Sequence, residues 1–167
     1  MPTSVPALLA PSVGAPFERG TIERRDLGSH DVLIDIAYAG ICHSDIHQAR
    51  QEWGQAIFPM VPGHEIAGVV AAVGEKVTAH AVGDRVGIGC FVDSCRECEN
   101  CLAGEEQFCT RGMVATYNGR QYSGEATYGG YSTQIVADET TFCASPRISP
   151  LMWRPRCCAR ASPPTPR

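Results

Sequence analysis

Apolar and polar residues alternate in several short runs along the chain, and this alternation is typical of half-buried β-strands. The clearest runs are Asp31–Ala39 and Ile66–Val73, and further runs cover residues 4–9, 85–90 and 130–137. Glycine and proline separate these runs, as expected where a chain turns between strands. The pattern predicts a mainly β fold of the barrel class, with many short strands and almost no helix.

One short helix is expected over residues 44–50, with Ser44 as its N-cap. In such a helix Ser44 and His47 lie three positions apart, on one face and close to Cys42. The pattern therefore places a hydroxyl, an imidazole and a thiol in one neighbourhood.

Length and charge limit the classes of function. The chain has 167 residues, 44% of them hydrophobic, as in one ordinary globular domain. Its net charge is −4 and it has no basic block, which argues against a nucleic-acid partner. Residues 1–15 lack a basic start and contain three prolines, so they predict neither a signal peptide nor a membrane span.

Cysteine is abundant, with nine residues in the chain. Without a secretory signal, cysteines at this density favour a reducing compartment and metal binding over disulfides. We therefore expect the protein to be cytoplasmic.

Four of the cysteines lie in one short stretch, residues 92–110, with the spacing C-x2-C-x2-C-x7-C: Cys95, Cys98, Cys101 and Cys109. Four thiolates in one loop suit a closed tetrahedral zinc site, which is structural. An iron–sulfur cluster is an alternative, because a bacterial cluster run also begins C-x2-C-x2-C. That run ends in a cysteine followed by proline, whereas Cys109 precedes Thr110. Zinc is favoured over iron and over unrelated buried thiols.

A second candidate site joins Cys42 to the Gly63-His64-Glu65 stretch. A glycine next to His64 and Glu65 allows a sharp turn that holds both side chains over one point. However, Cys42 and His64 are 22 positions apart and follow no fixed ligand spacing. A lone buried cysteine is more often a small apolar residue than a ligand, so the residues alone leave this site open.

The combined motifs resemble those of the zinc-dependent medium-chain alcohol dehydrogenases, over about residues 21–140. The positions that fit the zinc signature of that family are Gly63, His64, Glu65, Gly68, Gly74 and Val77, and the four clustered cysteines fit its structural-zinc lobe. Two sequence motifs are similar to those of the cinnamyl-alcohol-dehydrogenase (CAD) branch: Cys42-His43-Ser44-Asp45-Ile46-His47 and Gly129-Gly130-Tyr131-Ser132. Members of that branch reduce aldehydes with NADPH.

The resemblance implies a fold, two zinc ions and a set of site residues. Residues 1–140 would form a GroES-like barrel, in which Cys42, His64 and, in reserve, Glu65 bind a catalytic zinc. That zinc would act as a Lewis acid on a small alcohol or aldehyde. The resemblance also implies a homodimer for the intact family, but not for this chain alone.

Three side chains after Cys42 are candidates for the reaction itself. Ser44 and His47 would carry the alcohol proton to solvent, and His43 would face the NADP(H) cofactor or Asp45. The alternative is that Ser44 only caps the helix and His47 is a surface residue.

Two aromatic residues, Trp53 and Phe58, are candidates for lining a substrate pocket for aromatic or long-chain aldehydes. The equally weighted alternative is that both belong to the core.

The chain changes character after residue 140, and residues 141–167 are rich in arginine, proline and cysteine. A functional basic tail and plain disorder are two interpretations. A third is a one-nucleotide frameshift. With one T added in front, codons for residues 141–147 encode Y-V-L-R-I-P-A, and codons for residues 155–166, preceded by G, encode A-P-L-L-C-A-G-I-T-T-Y-S. The latter is the family's next segment and contains its third protein ligand for the catalytic zinc.

We therefore expect residues 141–167 to be a frameshift product in which Cys143, Cys157 and Cys158 belong to no site. The chain also contains no G-x-G-x-x-G motif for a dinucleotide. Two functions remain: a zinc alcohol dehydrogenase that uses NADP(H) and is inactive as this chain alone, or a non-catalytic zinc-binding GroES-like domain.

Overall fold

The computed structural model describes residues 3–141 and 143–144. Short strands dominate this part of the chain, which confirms the mainly β prediction. The strands are β1 Thr3–Leu9, β2 Glu18–Arg24, β3 Asp31–Ala39, β4 Ile66–Val73, β5 Arg85–Ile88, β6 Phe91–Asp93, β7 Val114–Ala115, β8 Gln134–Asp138 and β9 Cys143–Ala144. The helices are α1 His43–Ala49 and α2 Glu99–Leu102, with 3-10 turns at Glu106–Phe108 and Glu139–Thr141.

The largest sheet has five antiparallel strands in the order β8-β3-β4-β5-β9. Strand β3 lies inside this sheet, and its register against β4 shifts twice, between Leu33 and Ile34 and between Ile36 and Tyr38. Such irregularities bend and twist a strand, as a curved barrel wall requires. Strands β1 and β2 form a separate antiparallel hairpin, and β6 pairs with β7.

The main core is a cluster of buried residues from the large sheet and from β6 and β7. Its buried residues are Val32, Ile34, Ile66, Val70, Val86, Ile88, Val92, Val114, Ile135 and Ala137. Most are β-branched, and such side chains pack well on a pleated surface. A smaller cluster under the β1–β2 hairpin consists of Val5, Ala7, Leu9, Ile22 and Val61.

A buried arginine attaches the hairpin to the rest of the domain. Arg24, at the end of β2, is 7% exposed. Its guanidinium donates to the carbonyl oxygens of Tyr128 and Gly129 at 2.6 and 3.0 Å and to Ser132 Oγ at 2.7 Å. Burial lowers the pKa of Arg24 to about 10. The three acceptors offset part of the cost of burying this charge.

The strand predictions were confirmed most closely where the apolar runs are strongest. Strands β3 and β4 have the predicted bounds, and β1 begins one residue earlier than expected. Strand β8 begins at Gln134 rather than at residue 130. The residues before it bond elsewhere: Tyr131 donates to the Pro62 carbonyl and Thr133 to the Pro6 carbonyl.

The sequence did not predict β2, because charged residues dominate its pattern and few of its positions are buried. Strand β9 lies within the segment that we separated from the domain as residues 141–167. It adds two residues to the edge of the sheet beside β5. Residues 142 and 145–167, including Cys157 and Cys158, lie outside the described residues. Among the described helices, each is too short or too polar to cross a bilayer.

Candidate metal centre

Helix α1 begins at His43, and its N-cap is Cys42. Cys42 has the extended backbone of a cap residue, with φ −118° and ψ 154°. Its backbone N–H donates to the Asp45 carboxylate at 3.0 Å. The prediction that Ser44 is the N-cap is wrong, because Cys42 holds that position and Ser44 lies in the first turn of the helix. Asp45, the third helical residue, accepts the hydrogen bond from the N-cap backbone.

The glycine before His64 makes the second half of the site possible. Gly63 has φ +99°, a left-handed conformation that residues with a Cβ rarely adopt. In this conformation its N–H donates to Asp45 Oδ1 at 3.1 Å, and its carbonyl accepts from the Gly130 N–H at 2.8 Å. The corner is thereby fixed to helix α1 on one side and to the Gly129-Gly130 stretch on the other.

The structure brings Cys42, His64 and Glu65 together, with one ligand atom of each within 4.8 Å of the others. The Glu65 side chain crosses over Gly40, where a Cβ would overlap its carboxylate. Thiolate, imidazole and carboxylate are the three donor types that zinc binds in proteins. The donor set therefore fits zinc, and the assignment of these three residues as ligands stays a prediction.

Asp45 is the residue that holds this site in place. It is 3% exposed, and its carboxylate also accepts from the Tyr131 hydroxyl at 2.9 Å. His64 Nδ1 lies 3.8 Å from Asp45 Oδ1. Burial, and then the bond to Asp45, raises the pKa of Tyr131, so this hydroxyl stays a donor at neutral pH. One buried carboxylate therefore orients both Cys42 and the corner that carries His64.

Among the candidate proton-transfer residues, Ser44 contacts the metal cluster. Ser44 Oγ donates to Cys42 Sγ at 3.0 Å. His47 is about one-third exposed, at 35% of its side chain, and its Nδ1 donates to the Glu52 carboxylate. The ring of exposed His43 lies 6.4 Å from that of His47. Ser44 therefore contacts Cys42, and the roles of Ser44, His47 and His43 stay predictions.

The two aromatic candidates lie in different environments. The Trp53 indole is 62% exposed and stacks on the His47 ring at 4.8 Å. Phe58 is half-buried and packs on the cluster of Ala10, Met60 and Tyr117. Only Trp53 is thus placed beside the candidate proton path, and Phe58 belongs to the adjoining core.

The four clustered cysteines form a second donor group around α2. The sulfur atoms of Cys95, Cys98, Cys101 and Cys109 lie within 4.8 Å of one another. Tetrahedral zinc with bonds of about 2.3 Å requires sulfur separations of roughly 3.8 Å. The Cys95 and Cys101 sulfurs are 3.8 Å apart, which matches the separation that tetrahedral zinc requires.

Backbone N–H groups favour the thiolate form of this cluster. The Cys95 N–H donates to Cys109 Sγ at 3.5 Å, and the Cys98 N–H donates to Cys95 Sγ at 3.4 Å. The backbone N–H groups of Cys101 and Thr110 lower the pKa of Cys98 to about 5. A thiolate is the form that binds metal, so these N–H groups favour metal binding at Cys98. In contrast, burial and the neighbouring Cys98 side chain raise the pKa of Cys101 to about 11.

Sequence reasoning missed four residues of the site: Asp45, Glu52, Tyr117 and Tyr131. A signal existed for Asp45, because an acidic residue three positions after a helix N-cap commonly bonds back to the cap backbone. The Tyr117 ring stacks on the His64 ring at 5.9 Å, although 53 positions separate the two residues. No local pattern could have indicated that contact.

We expect Asp45→Asn to destabilise the domain by about 1–3 kcal/mol, because one end of the amide cannot accept the backbone N–H groups that bond to the carboxylate. The free energy of unfolding, from urea denaturation of the zinc-loaded chain, measures this. Asp35→Asn is the matched control, because Asp35 is exposed and bonds only on the surface to Gln134 Nε2 at 2.7 Å. Equal stability of the two variants would contradict the role given to Asp45.

Comparison with known proteins identifies the fold. The alcohol dehydrogenase GroES-like domain family matches residues 28–147. The probable formaldehyde dehydrogenase AdhA of Bacillus subtilis is 70% identical over 125 residues, which cover 75% of this chain and 36% of that protein. The NADP-dependent alcohol dehydrogenase C 1 of Mycolicibacterium smegmatis is 57% identical over 150 residues, 89% of this chain and 43% of that protein.

A solved structure agrees with these matches. The CAD from Helicobacter pylori, complexed with NADP(H), has a TM-score of 0.86 and 44% identity, covering 90% of this chain and 44% of its own. The chain thus spans less than half the length of these relatives. The resemblance to the CAD branch and the GroES-like fold are confirmed. This chain belongs to the zinc alcohol dehydrogenase family and carries its GroES-like domain.

Proposed function

We propose that this chain supplies the zinc- and alcohol-binding part of an alcohol dehydrogenase or aldehyde reductase that transfers hydride between NADP(H) and an alcohol–aldehyde pair. The observation that carries this proposal is the convergence of Cys42, His64 and Glu65 within 4.8 Å. Buried Asp45 accepts hydrogen bonds from the backbone N–H groups of Cys42 and Gly63. Ser44 Oγ lies 3.0 Å from Cys42 Sγ.

Cys42 and His64 would hold the catalytic zinc, with Glu65 in reserve. A zinc ion there supplies a Lewis acid that lowers the pKa of an alcohol. The chain's own residues move the proton. Ser44 accepts it from the alcohol and donates its own hydroxyl proton onward, since a hydroxyl both donates and accepts.

His47 takes the proton to the surface, where its ring is partly exposed. Imidazole titrates near neutral pH and suits this task. The Glu52 carboxylate bonds to His47 Nδ1 and fixes the ring orientation. We propose transfer from Ser44 through His47 to solvent, because the two residues are three positions apart on α1 and so share one face.

The cofactor is proposed from the relatives. One relative is named an NADP-dependent alcohol dehydrogenase, and the CAD structure is complexed with NADP(H). We propose NADP(H) for this protein, with exposed His43 facing it. The dinucleotide-binding part is expected in a segment not included in these residues, and the active assembly is expected to be a homodimer in the cytoplasm.

The substrate class is proposed from Trp53. Its indole is 62% exposed and stacks on His47, so a large apolar surface borders the proton path. Such a surface favours aromatic or long-chain aldehydes, because it removes apolar area from water when they bind.

The reading frame after residue 140 is part of the proposal. We propose that residues 141–167 arise from a one-nucleotide shift, that Cys143, Cys157 and Cys158 are no metal ligands, and that the third protein ligand of the catalytic zinc lies in the shifted frame. The two-residue strand β9 is compatible with this, because pairing with β5 uses backbone groups that a change of side chains leaves intact.

The lobe formed by residues 92–110 is proposed to bind structural zinc. We expect Cys101→Ser to remove this zinc and unfold the lobe, since structural zinc contributes on the order of 10 kcal/mol to folding. Zinc analysis after gel filtration measures the loss, and Cys90→Ser, an exposed cysteine outside both clusters, is the control. Iron and sulfide in the purified protein, in place of zinc, would sink this assignment.

The two zinc ions should differ in affinity. The lobe offers four thiolates, whereas Cys42 and His64 have only the harder oxygen of Glu65 as a third donor. Loss of a residue that only hydrogen-bonds to a metal ligand lowers metal affinity about 10–100-fold. We therefore expect the zinc at Cys42 and His64 to bind at least about 100-fold more weakly than the zinc in the lobe. Zinc content before and after mild chelation should fall from two ions to one. Two ions that both resist chelation would contradict this expectation.

The 167-residue chain should not turn over by itself. Hydride transfer needs a nicotinamide positioned within about 3.5 Å of the substrate carbon, and positioning of this kind carries much of the catalytic rate. With NADPH and an aromatic aldehyde, we expect a rate more than about 1000-fold below that of the product of a gene with one T inserted before codon 141. The loss of NADPH absorbance measures both rates. Comparable rates would refute the frameshift and favour a complete site in this chain.

A further inference from the structure

Asn118 has a left-handed backbone conformation, with φ +53°. Among residues with a Cβ, Asn and Asp adopt this conformation more often than most others. It directly follows Tyr117, whose ring is buried and stacks on the His64 ring at 5.9 Å. The chain bends at Asn118, immediately after the tyrosine. The side chain of Asn118 therefore lies at a fixed point relative to a candidate metal ligand.

Both ends of the Asn118 amide are used. Its Oδ1 accepts from the Ile57 N–H at 2.8 Å, and its Nδ2 donates to Gln48 Oε1 on helix α1. These partners lie 61 and 70 positions away in sequence. One amide thus joins the turn beside His64 to helix α1 and to the segment after it.

The segment in question, residues 51–58, carries the groups that border the proposed proton path. At its start the Glu52 N–H donates to the His47 carbonyl at 2.9 Å, and the Glu52 carboxylate accepts from His47 Nδ1. At its end the Ile57 N–H is held by Asn118. Between these ties lies Trp53, which is 62% exposed and so is held mainly by its stacking on His47.

We propose that Asn118 is a positioning residue: its two hydrogen bonds hold residues 51–58 against helix α1 and thereby set the place of the Trp53 indole over His47. This rests on the proposed function, because the position of Trp53 then determines which aldehydes fit beside the proton path. Asn118 itself touches no reacting atom. Removing its side chain releases the far end of the segment, and Trp53 moves away from His47 in a larger share of molecules.

The test follows Trp53 fluorescence in a Trp153→Phe background, where Trp53 is the single tryptophan of the chain. Contact with the His47 ring shortens the lifetime of the indole, and His47→Ala identifies that short component. In Asn118→Ala we expect the ratio of long-lifetime to short-lifetime molecules to rise about five-fold. This is the effect expected from losing the net contribution of one hydrogen bond, the bond that holds the Ile57 N–H. Asn100→Ala is the matched control, because Asn100 bonds to the Phe108 carbonyl in the lobe at 2.6 Å.

Two further variants separate the side-chain bonds from the backbone turn. Asn118→Gly accepts the left-handed φ but loses both bonds, and Asn118→Asp keeps an acceptor for Ile57. We expect glycine to behave like alanine and aspartate to restore most of the short lifetime. If alanine does not fold, glycine and aspartate decide the outcome, since both tolerate the turn.

Unchanged lifetimes in the glycine variant would overturn the proposal, whether or not alanine has an effect, because the turn alone would then hold the segment. An equal change of the Trp53 lifetimes in Asn100→Ala would also overturn the proposal, because it would indicate a general loss of rigidity in the domain. The readout needs neither zinc nor turnover. Failure of the dehydrogenase proposal would therefore show up in the rate assay and leave this result independent.

Discussion

The arrangement of the candidate metal centre depends on one buried carboxylate. Asp45 is 3% exposed, and a buried carboxylate is costly unless donors surround it. Its donors come from three separate places: the Cys42 N–H, the Gly63 N–H and the Tyr131 hydroxyl. The carboxylate is satisfied only when all three are in place. Folding of the helix, the glycine corner and the loop before β8 is therefore coupled through one side chain.

The backbone around this carboxylate has to approach closely. Gly63 lies at φ +99° and exchanges hydrogen bonds with Asp45 and Gly130, so its conformation links α1 to the loop before β8. The same loop accepts the guanidinium of Arg24 from the β1–β2 hairpin. A chain of hydrogen bonds between buried groups thus runs from the hairpin to the metal centre. Helix α1 and the Gly63 corner both lie in the connection between the core strands β3 and β4.

The two cysteine-containing clusters differ in how far the chain must fold to form them. The lobe ligands fall between Cys95 and Cys109, and short helical turns with backbone N–H···S bonds bring them together locally. The other cluster takes Cys42 from a helix N-cap and His64 from a corner 22 positions later. A local site forms with little loop-closure cost, whereas the second requires the complete sheet. The proposed structural site is thus the more local of the two, and the proposed catalytic site depends on long-range folding.

The sequence by itself indicated the fold class, the bounds of β3 and β4 and the candidate zinc ligands between Cys95 and Cys109, because strong apolar runs and a fixed cysteine spacing are local signals. It left the pairing of Cys42 with His64 open, because 22 positions separate the two residues. It misplaced the helix N-cap at Ser44, because serine is a preferred cap residue and the bond from the Cys42 N–H to Asp45 is known only from the structure. It missed β2, whose charged residues gain their place only from pairing with β1.

Only the tertiary structure decided the surroundings of the metal centre. The stacking of Tyr117 on His64 and the bonds of Asn118 to Ile57 and Gln48 join residues more than 50 positions apart. The composition of those segments is ordinary, and nothing in it indicates which partner each will meet. A local sequence pattern encodes local conformation and burial, whereas contacts of this range exist only after the sheet has brought the loops together.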